Sequence, residues 1–263
     1  MTRLLILFLV LLTLPACTRQ VTPDLLDPRW QIVEQGVVRG QTEKREIALV
    51  FTGGHHGEGT PFILDTLADK KVKASFFPTG DYLAIPEYQP HVQRMIAEGH
   101  LVGPHGHAHL LLAPWDNRDE SLVTEAEFKN DLKRNINQLH DLGVPDRFPT
   151  YFIPPYQWYN AQHTQWSADL GVLLFNFTPG SGSHRDWAPE GHRAFRPSTQ
   201  ILTDIFTHET SNPDGLAGHL LLLHMGSQRQ DKFHRLLPNL IDELHRRGYQ
   251  LVRVDELLYI PPR

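Results

Sequence analysis

The chain carries one cysteine, Cys17, in 263 residues. No internal disulfide is possible in any compartment, so the fold rests on its core. Long apolar runs are equally scarce. Leu4 to Leu12 is apolar but too short to span a bilayer as a mature helix. Excess positive charge is absent too: 25 Lys and Arg stand against 30 Asp and Glu, a net charge of −5. With no basic run, there is no electrostatic footprint for nucleic acid. No internal repeat or low-complexity tract occurs, and the length fits one large α/β domain better than two small ones. What the chain has in quantity is histidine. Sixteen are present, clustered around Gly54–His56 and Gly99–His109, a composition that points to metal or acid–base chemistry.

The first segment, "MTRLLILFLVLLTLPAC", places Arg3 before the apolar run and small Ala16 before Cys17. It resembles a bacterial lipoprotein signal, in which residues 1–17 form the leader and Cys17 is lipidated. Such a lipid tethers a protein without threading it through the membrane. The resemblance implies an exported domain anchored in the cell envelope. The absence of Asp at Thr18 leans to the outer membrane. Residues 18–45 are polar, contain Pro23 and Pro28, and read as a tether and N-terminal extension.

From residue 46 to about 260 strand and helix patterns alternate. Ile47–Phe51 suits a strand buried on both faces. "TPFILDTLADKK" has helical spacing with Thr60 as a cap. "VKASFFPTG" reads as a strand, "PHVQRMIAEGH" as a helix, and "LVGPHGHAH" as a strand end entering a histidine loop. In the next helix Phe128, Leu132, Ile136 and Leu139 share one face, and Gly143 ends it. "YFIPPYQWYN", "GVLLFNFTPG" and "GHLLLLHMG" are strand ends, and "DKFHRLLPNLIDELHRRGYQ" is the last long helix. Repeated strand–helix units predict a parallel sheet or barrel, with chemistry at the C-terminal ends of the strands. The histidine stretches fall at those ends.

His105 and His109 are four residues apart, as two metal ligands on one helical turn would be, and a usable site needs one more donor. In "FTGGHHGEG", His55, His56 and Glu58 are candidates for it. His224 ends an apolar strand at the same edge and is a candidate acid–base group. Tyr156, Trp158 and Tyr159 follow a Pro-Pro turn and suit stacking on a sugar, although such rings also serve cores.

In their order these stretches resemble the polysaccharide deacetylases of the NodB-homology type, carbohydrate esterase family four, over about residues 45 to 258. The resemblance implies a distorted (β/α) barrel. Of the five family motifs, His-x-x-x-His is matched by His105 and His109, the Pro-Pro-Tyr by Pro154, Pro155 and Tyr156, Asp-Trp by Asp186 and Trp187, and Leu-Leu-His by Leu222, Leu223 and His224. The first motif, Thr-Phe-Asp-Asp-Gly, is broken: its catalytic base and its metal ligand fall on Thr52 and Gly53. The arginine that orients the base falls on Ile153. An arginine kept without its aspartate would be an unpaired buried charge, so these losses belong together.

The resemblance implies a divalent metal, zinc first with cobalt or nickel as alternatives, held by His105 and His109; in place of the family's missing aspartate His55 is the candidate third ligand, with His56 or Glu58 as the other choices. It implies His224 as the acid; with the family's base missing, Glu58 is the candidate displaced base, and Tyr156, Trp158 and Trp187 are the candidate substrate contacts. The expected partner is an acetylated oligo- or polysaccharide. Three functions follow from this site: a metal-dependent deacetylase, a metalloenzyme with other carbohydrate chemistry, or a non-catalytic carbohydrate-binding lipoprotein.

Overall fold

The computed structural model describes residues 19–261. Cys17 and the leader lie outside the described residues. The strands are β1 (Gln31–Val33), β2 (Gly36–Arg39), β3 (Glu46–Gly53), β4 (Ser75–Pro78), β5 (Leu101–Val102), β6 (Thr150–Phe152), β7 (Val172–Leu174), β8 (Leu220–His224) and β9 (Gln250–Val252). The helices are α1 (Thr60–Lys70), α2 (Gly80–Leu83), α3 (Gln89–Ala97), α4 (Glu125–Asp141), α5 (Ala161–Ala168), α6 (Ser198–Ser211), α7 (Leu237–Arg246) and α8 (Val254–Leu257).

The central sheet runs β5-β4-β3-β8, all parallel, and β9 pairs with the first residues of β3. β6 and β7 form a second parallel pair. The wall closes through irregular contacts. Gly103, just after β5, lies so near β6 that a Cβ there would stand 2.6 Å from the Tyr151 carbonyl oxygen. On the other side Val37 of β2 bridges to Phe175, and the Gly40 amide donates to the Gly218 carbonyl at 2.8 Å. This is the distorted (β/α) barrel the sequence implies.

The period of two along β3 and β8 sorts their side chains into two cores. Ile47, Leu49, Phe51, Leu221 and Leu223 pack outward with Leu64 of α1, Val92 of α3 and Leu240 of α7. Ala48, Val50, Leu220 and Leu222 pack inward with Phe77, Tyr151, Leu173 and Phe175. Continuing the alternation, Thr52 and His224 belong to the inward set. They are register partners at the C-terminal mouth. That position makes them available for chemistry.

Two expectations are corrected, and one helix is added. Residues 18–45 are not merely a tether: the β1–β2 hairpin lies within them, and Val21, Trp30 and Val37 pack into the inner core. Thr60 is not the cap of α1, because Gly59 holds that position and the Thr60 hydroxyl instead bonds Tyr82 Oη at 3.0 Å. Residues 198–211, for which the sequence suggested no element, form α6.

Several buried histidines make stability depend on pH. Burial holds His100 and His163 near a pKa of about 4 and His219 near about 3. The unfolded chain takes up these protons near 6.5 and the folded chain does not, so stability is complete above about 6.5 and falls as pH drops toward 4. We expect the thermal midpoint to be flat above pH 7 and at least ~5 °C lower at pH 5. A calorimetric midpoint unchanged over that interval would contradict the assignment.

Candidate active site

The loop after β5 carries His105 and His109, and α4 holds it in place. Asn135 Oδ1 accepts the His105 amide at 2.8 Å, and the Asp131 carboxylate accepts the amides of His107 and Ala108, each at 2.8 Å. Gln138 Oε1 takes the His107 ring at 2.7 Å, which turns that histidine toward the helix. Positions 131, 135 and 138 form one polar stripe on α4. The segment is a tight loop, not the helical turn the four-residue spacing suggested. Gly106 and His109 both have positive φ, +82° and +50°.

His105 is buried, and its Nδ1 lies 2.7 Å from the Ile153 carbonyl oxygen. A carbonyl only accepts, so Nδ1 carries the proton and the Nε2 lone pair is free. Ile153 thus contributes its backbone where the family has an arginine side chain. The His109 ring stands edge-on to His105 at 5.1 Å between centroids. Burial, then the His224 ring, holds the His109 pKa to about 4; nearby Asp81 opposes this and His55 adds to it. His105 is pushed well down by burial and by His109. Both rings are neutral at pH 7, the form that ligates metals.

The end of β3 carries Thr52 and Gly53. The Thr52 hydroxyl is buried with no hydrogen-bond partner. At Gly53 a Cβ would lie 2.4 Å from Met225 Cε and 3.0 Å from Tyr82 Cδ2. A side chain at position 53 would have to displace the end of Met225 and press on the Tyr82 ring. Past that point His55 is exposed, and its Nε2 lies 3.3 Å from Asp81 Oδ2. Asp81 sits on α2 beside Tyr82, and its charge opposes the lowering of the His109 pKa. The sequence reading missed it because it comes from a different strand end. His56 is exposed on the same loop. Glu58 is not brought to the pair: it forms an ion pair with Lys232 and accepts the Ser227 amide at 3.1 Å. These two contacts lower its pKa against the opposing effect of burial, which is the largest.

His224 faces the mouth from the opposite side. Its Nδ1 lies 2.6 Å from Asp186 Oδ1, and its backbone amide donates to Asp186 Oδ2 at 2.8 Å. Asp186 is buried, so the carboxylate fixes both the ring and its tautomer and directs Nε2 outward. The sequence supplied Asp186 only as part of a motif; its bond to His224 shows what it does.

Aromatic rings extend from the histidine pair. Tyr156 lies 4.5 Å from His109 and 5.9 Å from Trp115, and Trp115 stacks on Trp158 at 5.8 Å. Trp115 is 61% exposed and was not singled out in the sequence. Trp187 is separate from this row and packs on His192 at 4.9 Å. A row of half-exposed rings suits the apolar faces of sugars. Replacing Trp115 with alanine is expected to raise KM about fivefold while leaving kcat within about twofold, as loss of uniform binding does. A fall in kcat at constant KM in steady-state assays would refute that role.

For a divalent ion the donor chemistry fits in part. His105 and His109 offer two neutral imidazoles, one with its tautomer fixed. Among the described residues no group of three or more His, Cys, Asp or Glu side chains is arranged to hold a metal. The third donor expected from His55 is paired with Asp81 and is not assembled with the other two.

The sequence profile named Polysaccharide deacetylase matches residues 39–175, more than half of the chain. The chain belongs to the polysaccharide deacetylase family. A peptidoglycan-N-acetylglucosamine deacetylase from Bacillus cereus is 33% identical over 177 residues, covering 58% of this chain and 60% of that one. A chitooligosaccharide deacetylase from a Bradyrhizobium species is 28% identical over 228 residues, covering 81% and 90%. The chain spans 60% of the length of the first relative and as little as 40% of others that match. Among solved structures, a CE4 family pseudoenzyme from Bacillus anthracis superposes with a TM-score of 0.68 at 18% identity, covering 86% of this chain and 70% of that one. That likeness concerns the fold.

Proposed function

We propose that this polysaccharide deacetylase family member is a divalent-metal-dependent hydrolase that removes acetyl groups from a carbohydrate, in a site rebuilt after loss of its paired carboxylates. The observation that carries the reading is the His224–Asp186 pair set opposite two neutral, loop-anchored histidines. The names of the relatives, a peptidoglycan-N-acetylglucosamine and a chitooligosaccharide deacetylase, support the substrate class.

His105 and His109 would hold the ion, with zinc the first choice. When bound, it supplies Lewis-acid polarisation of the acetyl carbonyl. In its doubly protonated form His224 would keep its Nδ1 proton on Asp186 and give its Nε2 proton to the departing sugar nitrogen or oxygen as the acyl bond breaks, ending as the neutral Nδ1–H ring. Asp81, the carboxylate beside His55, would take the proton of the attacking water. Trp115, Tyr156 and Trp158 orient the sugar. Export and anchoring through a lipid on Cys17 belong to the same proposal and rest on the composition of the leader.

A second reading, a carbohydrate-binding protein without turnover, is favoured by the closed space at Gly53. The test is acetate release. Residues 19–263 with added zinc, cobalt or nickel should free acetate from N-acetylchitohexaose or from peptidoglycan fragments. Sugar binding without acetate from any acetylated glycan would select the second reading.

A further inference from the structure

The turn that supplies Asp186 to His224 also borders a cavity on its other side. Ser183–Trp187 is a short 3-10 segment in which Asp186 points to the acid and its neighbours His184 and Arg185 line a cavity of about 460 Å3. Arg196 lines the same cavity from the following loop, and His208 and Asp204 reach it from α6.

The charges in it are unbalanced. Neither the Arg185 nor the Arg196 guanidinium has an ion-pair or hydrogen-bond partner among the described residues, whereas Arg229 nearby is buried and satisfied by several carbonyls and Asp231. Asp204 is the acidic residue of the lining and is bonded to Gln200 at 2.8 Å. His184 Nδ1 is buried without a partner. His208 is turned to His219, Nε2 to Nε2 at 3.2 Å. In a chain of net charge −5, two unpaired guanidiniums in one concavity form a local field of the opposite sign. Planar guanidinium forks match the oxygens of carboxylate, sulfate and phosphate groups.

We propose that this cavity binds an anionic substituent of the carbohydrate, with Arg185 and Arg196 as its oxyanion contacts. The inference rests on the deacetylase reading for the identity of the polymer. The cavity adjoins the turn that holds the acid, so a glycan chain leaving the His224 side would carry its next acidic group to these arginines. The preferred substrate is then an acetylated glycan bearing carboxylate or sulfate groups, not a neutral one. The arginines determine specificity and take no part in bond breaking.

Calorimetric binding to full-length chain lacking only residues 1–18 tests this with three hexasaccharides. They are neutral N-acetylchitohexaose, its 6-O-sulfated form, and a heparosan hexasaccharide that alternates N-acetylglucosamine with glucuronate. At least one acidic ligand should bind tenfold or more tightly than the neutral one. The preference should shrink as salt rises from 50 to 300 mM, because exposed charge pairs are screened. It should vanish in Arg185→Ala/Arg196→Ala and survive in part in Arg185→Lys/Arg196→Lys, with thermal midpoints confirming that both variants fold. A preference for glucuronate alone or for sulfate alone identifies which oxyanion is taken. Equal affinity for all three, no binding of either acidic ligand, or a preference that persists in the alanine variant overturns the proposal. Acetate release is read on the same samples after zinc, cobalt or nickel is added. Arginine-dependent acidic binding without acetate keeps the cavity assignment and removes the deacetylase reading; acetate release without charge preference does the reverse.

Discussion

Replacing His224 with alanine is expected to lower kcat for acetate release by about 10³-fold while changing KM little, the range typical of losing a general acid. The geometry sets this expectation. His224 ends a fully buried strand, lies in register with Thr52 at the barrel mouth, and is fixed by two hydrogen bonds to buried Asp186. The variant removes the proton donor that Asp186 holds, and the remaining binding surface stays intact. Asp186→Asn should have a smaller but still large effect of about 10²-fold, because an amide can hold the ring in the wrong tautomer. Initial rates across a substrate series separate the two parameters. A His224→Ala enzyme with wild-type kcat would remove His224 from the chemistry.

The second large effect concerns Gly53. Restoring an aspartate there is expected to destabilise the protein by about 3 kcal/mol or more, a drop of roughly 10 °C in the thermal midpoint. The added Cβ meets Met225 Cε at 2.4 Å and Tyr82 Cδ2 at 3.0 Å, and both neighbours are buried. The carboxylate would also be forced into an apolar site, where an unpaired charge is costly. Met225→Ala in the same chain removes the nearest obstacle, so the double variant should recover most of the lost midpoint. Gly53→Asp alone with an unshifted melting curve would show that the space is not closed. On this expectation, an aspartate at position 53 needs a second substitution at Met225 to be accommodated.

The parts of the fold that were legible in the sequence were those with strong periodicity. The all-apolar "HLLLLH" and the amphipathic stripe Phe128–Leu139 appear as β8 and α4. Helix α6 was not legible because it is rich in threonine, a poor helix former. Its hydroxyls bond back to carbonyls one turn earlier, as Thr203 does to Thr199 and Thr207 to Thr203, and only a few residues such as Ile201 and Ile205 reach the core. The β1–β2 hairpin was hidden because a polar, proline-containing stretch resembles a linker until Trp30 and Val37 find the inner core.

In the site, His105, His109 and His224 stood out by spacing and by their place at strand ends. Asp81, Trp115 and the polar stripe Asp131, Asn135 and Gln138 did not, because each is brought in from another element by tertiary packing. The stripe had a signal: polar residues at helical spacing flanking an apolar face. Glu58 shows the converse. It was attractive in sequence because it follows two histidines, yet Lys232 and the Ser227 amide hold it elsewhere.

The proposal turns on His105 and His109 holding a catalytic ion with no carboxylate at Thr52 or Gly53. Metal content by elemental mass spectrometry tests it most directly, on residues 19–263 purified without a histidine tag and exposed to zinc, beside a His105→Ala control. The account predicts about one equivalent of metal in the parent and little in the control. Parent protein that retains no zinc, cobalt or nickel would contradict it and leave a sugar-binding member of the fold.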